Sequence, residues 1–179
     1  MMEKECTRCH KVKSLSDFHK SKGTKDGHRY WCKSCCKEYN IAYSKTAIGI
    51  YKQIKSRQAF FNNHNDPRYK PVKITQRAFV EWYDPLKKIC AYCDISEEDF
   101  KLIKREYGSR TKRLTIDCKD NRVGYEENNI VLACERCNQI KSNLLSFDEM
   151  REFAQKYIKP KWMELKKGKG NKNLYLTHY

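Results

Sequence analysis

An α+β fold built from small zinc-stapled units is what this sequence predicts, and three observations predict it. Ten cysteines fall mostly into four pairs with two residues between the thiols. Two short β-prone runs, 114–117 and 130–133, flank a polar loop and lead directly into a helical run. The remaining apolar residues lie mostly in segments with helical spacing, at 39–61, 75–83, 96–103 and 146–158.

The cysteine pairs carry the most information. They are Cys6 with Cys9, Cys32 with Cys35, Cys90 with Cys93, and Cys134 with Cys137. Two intervening residues let a tight turn aim both sulfurs at one ion, and two such knuckles complete a tetrahedral Zn²⁺ shell. The first 30 residues show no signal-peptide pattern, and no stretch approaches the ~18 apolar residues of a membrane span. A reducing cytoplasmic setting is therefore expected, where clustered cysteines read as metal ligands rather than disulfides. Pairing neighbours predicts two structural Zn²⁺ sites. Cys6, Cys9, Cys32 and Cys35 form one, and Cys90, Cys93, Cys134 and Cys137 form the other. Cys36 reads as a spare thiol beside a knuckle, and Cys118 is also left over.

The staples matter because the chain is short of core material. Its 179 residues are 34% charged, so something besides hydrophobic burial must hold it together. Four segments follow: an N-terminal zinc ribbon over 1–40, a basic helical segment over 41–85, a zinc-stapled unit over 86–147, and a C-terminal helix with a basic tail over 148–179. In the second segment, Tyr39 to Phe61 reads as one helix with Lys45, Lys52, Lys55 and Arg57 on its basic side. Asn62 to Pro67 is a loop. Thr75 caps a helix bearing Phe79, Trp82 and Tyr83 as core. Ser96 opens a further helix through Phe100, Leu102 and Ile103. Ser146 and Glu149 form a capping box for a last helix carrying Met150, Phe153, Tyr157 and Ile158, which Pro160 should end. Residues 166–172 read as a basic tail.

A net charge of +16, from 38 Lys plus Arg against 22 Asp plus Glu, points to a polyanionic partner, because basic residues release condensed counterions when they neutralise phosphates. Charge alone does not separate this from a merely solvated basic surface.

Between the third and fourth cysteine pairs lies the chemistry. Strand, loop, strand and helix make a ββα unit, with Asp117 at the end of the first strand and Asn138 at the start of the helix. A carboxylate and an amide oxygen suit a hard cation such as Mg²⁺, which keeps several waters and needs few protein ligands. The helix start adds backbone N–H groups that favour an anion beside the metal. Lys141, one turn on, is placed to reach the same phosphate.

Asp117 on the first strand, Asn129 ahead of the second, and the Cys134/Cys137 knuckle followed at once by Asn138 resemble the HNH (ββα-metal) endonuclease family. The Cys-Asn-x-Ile-Lys-Ser-Asn run at 137–143 is similar to that of its rare-cutting restriction members, and the Cys-x-x-Cys, Asp, Cys-x-x-Cys-Asn order to that of its phage members. The resemblance implies a deoxyribonuclease that hydrolyses phosphodiester bonds with one Mg²⁺ or Mn²⁺, held by Asp117 and Asn138, while Asn129 pins the loop. It implies a site-specific enzyme of phage or mobile-element homing or restriction type, acting on double-stranded DNA. Cutting both strands calls for two active sites, so a homodimer is expected. The sequence departs from the family at Cys118, where a water-activating histidine is usual. Three residues compete for that role. Tyr92, inside the third cysteine pair, matches a tyrosine that such enzymes place at the scissile phosphate. His64 offers an imidazole suited to neutral pH. Cys118 offers a thiol, less suited to Mg²⁺ chemistry. Candidate DNA contacts are Arg57, Arg77, Arg113, Lys119, Arg122 and Lys141, with Arg68, Arg110 and Lys112 nearby. The rival reading is a non-catalytic zinc-ribbon DNA-binding regulator, favoured by the missing histidine.

Overall fold

In the computed structural model, which describes residues 2–103 and 113–167, helices and short strands mix around two groups of four cysteines. Arg110, Lys112 and the tail beyond 167 lie outside the described residues. The chain divides into two compact units, Met1–Ser56 and Arg57–Tyr179.

The first unit is a ribbon with a helix. β1 (Glu3–Glu5) and β2 (Val12–Ser14) pair antiparallel, and the turn between them carries Cys6 and Cys9. His10, just past that pair, takes a positive φ of 56°, and its N–H closes the turn onto the Cys6 carbonyl at 2.8 Å. β3 (Phe18–Lys20) and β4 (His28–Cys32) form a second antiparallel pair with an irregular register. β4 runs into α1 (Lys33–Tyr43), for which Cys32 is the N-cap. The buried centre is Cys6, Phe18, Cys32 and Cys35, with Cys9 and Trp31 packed against them. It is a core of sulfur with one aromatic ring beneath it, too small to order a unit of this size without a metal.

The expected single helix over 39–61 is instead two. α1 stops at Tyr43, and α2 (Ala47–Asn63) begins after a turn at 44–46. Thr46 explains the break: its Oγ1 accepts from the Gly49 N–H at 3.1 Å, satisfying one of the open donors that begin a new helix.

The second unit contains the rest. α3 (Gln76–Tyr83) is capped by Thr75, whose hydroxyl accepts from the Ala78 N–H at 3.2 Å. Phe79 and Tyr83 are buried and Trp82 half-buried, as core aromatics. α4 (Glu97–Ile103) starts from Ser96, which accepts from the Asp99 N–H at 3.0 Å. β5 (Thr115–Cys118) and β6 (Ile130–Ala133) form an antiparallel hairpin, followed directly by α5 (Glu135–Lys141).

The C-terminal helix departs from expectation twice. α6 (Phe147–Phe153) opens with the full Ser146/Glu149 capping box, then continues through a π-helical turn, Ala154–Ile158, into α7 (Lys159–Lys166). Pro160 does not end it. The Lys159 N–H reaches back five residues to the Ala154 carbonyl, so Pro160 enters as in the first turn of a new helix, where a missing N–H is tolerated. The buried stripe is Met150, Ala154, Ile158 and Trp162, while Phe153 and Tyr157 face outward. No helix among the described residues is long and apolar enough to cross a membrane.

Candidate metal centre on the hairpin and helix of the second unit

The four cysteines Cys90, Cys93, Cys134 and Cys137 are buried with their sulfurs within 4.8 Å of one another, as are the sulfurs of Cys6, Cys9, Cys32 and Cys35. Both groups suit zinc. The sulfurs of each group hold their protons unequally, with one drawn toward the thiolate while a neighbour is held as a thiol. In the second group, hydrogen bonds from Cys134, Cys137 and Cys93 drive the Cys90 pKa far down. In the first, burial opposes ionisation at Cys6, but the N–H groups of Cys32, Cys9 and Arg8 bring its pKa down to about 6.

The second cluster fixes the face that bears the polar residues. In β5, Thr115 pairs with Ala133 and Asp117 with Val131. Strand alternation sets Thr115 and Asp117 on one face and Cys118 on the other. α5 lies over the first of these. The Asn138 amide donates to Thr115 Oγ1 at 3.0 Å, and Thr115 Oγ1 donates to the Ala133 carbonyl at 3.0 Å. One turn along, the Lys141 ammonium donates to the Cys118 carbonyl at 2.8 Å and stands 3.6 Å from Asp117 Oδ2.

Asp117 is 2% exposed and well supplied with donors. Tyr92 donates its hydroxyl proton to Oδ2 at 2.7 Å, and the Cys118 N–H donates to Oδ1 at 2.9 Å. Tyr92 is wholly buried, with its ring 5.3 Å from that of Phe147. Burial, then the charge and hydrogen bond of Asp117, push its phenol well above the ordinary range. In this geometry Tyr92 is the donor to Asp117. Cys118 faces away from Asp117, and burial pushes its thiol up to about 12.

Asn129 closes the loop between the strands. Its Oδ1 accepts from the Asp120 N–H at 2.9 Å, and its Nδ2 donates to the carbonyls of Asp120 and Gly124, both at 2.7 Å. Gly124 is at φ +82°, and a Cβ there would meet the Pro71 carbonyl oxygen at 2.4 Å. The Tyr125 N–H donates to that same oxygen at 2.7 Å.

His64 sits at the exposed end of α2, stacked on Phe60 with ring centroids 4.1 Å apart. Its Nδ1 lies 2.8 Å from the Phe60 carbonyl, which can only accept. In the neutral ring this puts the proton on Nδ1 and leaves a lone pair on Nε2.

The basic candidates divide by exposure. Arg57, Arg77 and Arg122 are exposed, the last two paired locally with Glu81 and Asp120. Lys119 is half-buried with its ammonium 5.7 Å from the Phe147 ring centroid, and Arg113 is half-buried in the field of Tyr83 and Glu97. Lys141, expected to reach phosphate, is 1% exposed and turned inward, because Asp117 and the Cys118 carbonyl offer its charge a partner inside. At the start of α5 one backbone donor is already committed. The Cys137 N–H points at Cys134 Sγ, 3.4 Å away, and so serves the cysteine knuckle.

Three contributors escaped sequence reasoning. Thr115, two residues before Asp117, was findable from strand alternation. Asn121 joins the loop to the end of α5 through the Ser142 carbonyl and Asn143 Oδ1, each at 2.6 Å, and carried no sequence signal. Trp162 donates its indole N–H to Cys93 Sγ at 3.2 Å from a helix expected to have ended at Pro160.

No family model matches the chain, and no curated protein matches it. Among solved structures, the chain is similar to the rare-cutting HNH restriction endonuclease PacI. Identity is 25% over 90% of this chain and 96% of that one, with a TM-score of 0.48.

The donor set on the helix-covered face suits a hard cation. Asp117 offers a carboxylate, and the amide oxygen of Asn138 accepts no hydrogen bond among the described residues.

Proposed function

We propose that the chain is an HNH-type DNA endonuclease using a divalent ion, Mg²⁺ or Mn²⁺, at Asp117 and Asn138. The observation that carries this reading is the β5–β6–α5 unit. It is stapled by four cysteines and sets a buried carboxylate and an uncommitted amide oxygen on one face. The family resemblance of residues 117–143 adds the reaction class. A bound Mg²⁺ would supply Lewis-acid stabilisation of charge on the scissile phosphate.

The chain's own residues do the rest. Tyr92 holds its proton and orients Asp117 through the bond to Oδ2. Asn129 keeps the loop closed around Asp120 and Gly124. Of the three candidate bases, His64 alone presents an exposed ring with a lone pair on Nε2, and this reading assigns it the proton from water. Of the six basic candidates, Arg57, Arg77 and Arg122 are exposed, and this reading gives them DNA phosphates to anchor. Cutting both strands at one site uses two copies of the chain, a homodimer of phage or mobile-element homing or restriction type.

A second reading has its own observation. Asp117 is ion-paired with Lys141, and the position after it is a buried cysteine, as would suit a DNA-binding regulator without catalysis. Break mapping separates the two. Genomic DNA is incubated with the protein and Mg²⁺, and the ends are sequenced, with Asn138→Ala and His64→Ala alongside. Breaks on one motif that need Mg²⁺ and vanish in Asn138→Ala establish the nuclease. DNA binding with no breaks above that variant establishes the regulator.

A further inference from the structure

We propose that Lys141 is the resident counter-ion of Asp117, and that a divalent ion must compete with its ammonium for that carboxylate. The inference rests on the reading of Asp117 as a metal ligand and adds how that site is regulated.

Three observations carry it. Lys141 and Asp117 are 1% and 2% exposed, so water screens neither charge. The ammonium lies 3.6 Å from Oδ2 and is anchored at 2.8 Å to the Cys118 carbonyl, the residue next to Asp117. A buried lysine with a single carbonyl would be a costly arrangement, so the carboxylate is what makes its burial tolerable.

A dication arriving at Asp117 meets this positive charge at close range. Two outcomes are open to the chain: Lys141 swings out and frees the carboxylate, or it stays and weakens metal binding. In both, Lys141 sets the affinity of the site for metal without touching substrate, which makes it a positioning residue. Either way the dication gains the carboxylate only against the ammonium, so the site stays closed when divalent ion is scarce. Tyr92 stays as a neutral donor in either state.

The test uses the full zinc-loaded chain with Mn²⁺ as the probe, read by electron paramagnetic resonance rather than by cleavage. Lys141→Met should bind Mn²⁺ at least ~10-fold more tightly than the native chain, from removal of one charge at this range. Lys141→Arg should bind no more tightly than the native chain. Zinc content and thermal unfolding are recorded for each. A measurement on the native chain, independent of the folding of Lys141→Met, stands beside it. The Lys141 side-chain ¹⁵N–H₃⁺ resonance, protected from exchange by burial, should shift or disappear as Mg²⁺ is titrated. Asp117-dependent Mn²⁺ binding that is unchanged in folded Lys141→Met, or an ammonium resonance untouched at saturating Mg²⁺, overturns the proposal and leaves the metal site standing. Mn²⁺ binding that Asp117→Asn does not diminish overturns both.

Discussion

The two units hold their cysteines in the same way yet differ in everything chemical. In each, the first cysteine pair sits in a tight turn, and the residue after it takes a positive φ, 56° at His10 and 60° at Asp94. In each, an antiparallel pair of strands runs into a helix whose N-cap is the third cysteine, Cys32 in one and Cys134 in the other. The ribbon is therefore also a β-β-α arrangement. Matching the helices on their cysteines sets Cys36 against Asn138 and Tyr39 against Lys141. β3, which reads Phe18-His19-Lys20, has no carboxylate where β5 has Asp117. The knuckle residue matching Tyr92 is Arg8, which donates to the Cys35 carbonyl at 2.7 Å and stands 4.9 Å from the Trp31 ring. The staple, then, is a means of holding a hairpin and helix together, and the chemistry depends on what is set on the helix-covered face.

The largest effect should come from breaking one staple while leaving the other. Structural zinc is worth about 10–16 kcal/mol to small domains, far more than either core supplies alone. Cys134→Ser should leave about one zinc per chain by mass spectrometry and unfold the second unit, losing cleavage. Cys6→Ser should leave the aromatic circular dichroism of the second unit intact. Loss of both metals in Cys6→Ser would show that the units do not hold their staples independently.

Next come the paired positions after the fourth cysteine. Asn138→Ala should abolish Mg²⁺-dependent DNA breaks, whereas Cys36→Ala should leave their rate unchanged. Equal behaviour in a cleavage assay would end the distinction between a working face and a supporting one.

One turn along the helix the comparison is thermodynamic. Lys141→Met leaves Asp117 as a buried, unpaired charge and should cost about 3–5 kcal/mol in urea unfolding. Tyr39→Ala removes an exposed ring that stacks with Tyr43 and takes a cation–π contact from Arg8, and should cost about 0.5–1 kcal/mol.

The smallest difference lies in the hairpin loops. Gly27, at φ +69°, has nothing within 4 Å of a built Cβ, so Gly27→Ala should cost only the left-handed backbone penalty of about 1–2 kcal/mol. Gly124→Ala adds a clash with the Pro71 carbonyl and ring, so its melting temperature should fall further. Equal losses would mean that the Pro71 segment gives way at no cost.

What was legible in the sequence follows the same division. Cysteine spacing is a local property, and both metal groups assemble as the pairing of neighbours predicts. The strands of the second unit were legible because β-branched and aliphatic residues crowd two short runs, and the observed β6 coincides with its expected range. The inward turn of Lys141 was not legible. A lysine one turn after a candidate ligand looks like a hand for phosphate, and only the Asp117 carboxylate and Cys118 carbonyl, both more than 20 residues away in sequence, turn it inward. The passage of the last helix through Pro160 was hidden for a related reason. It depends on a π-helical turn and on packing that draws Trp162 to Cys93, neither of which is a local property.

That tryptophan, together with the exposure of Cys9, should give the two clusters different chemical lifetimes. An N–H aimed at a zinc-bound sulfur draws electron density from it, which makes the sulfur a poorer nucleophile toward peroxide and electrophiles. Cys93 has such a donor and is 1% exposed, whereas Cys9 is partly open to solvent. Under oxidative stress the ribbon should therefore lose its metal first, and a zinc-release trace in peroxide should resolve into two steps, the slower of which Trp162→Phe accelerates.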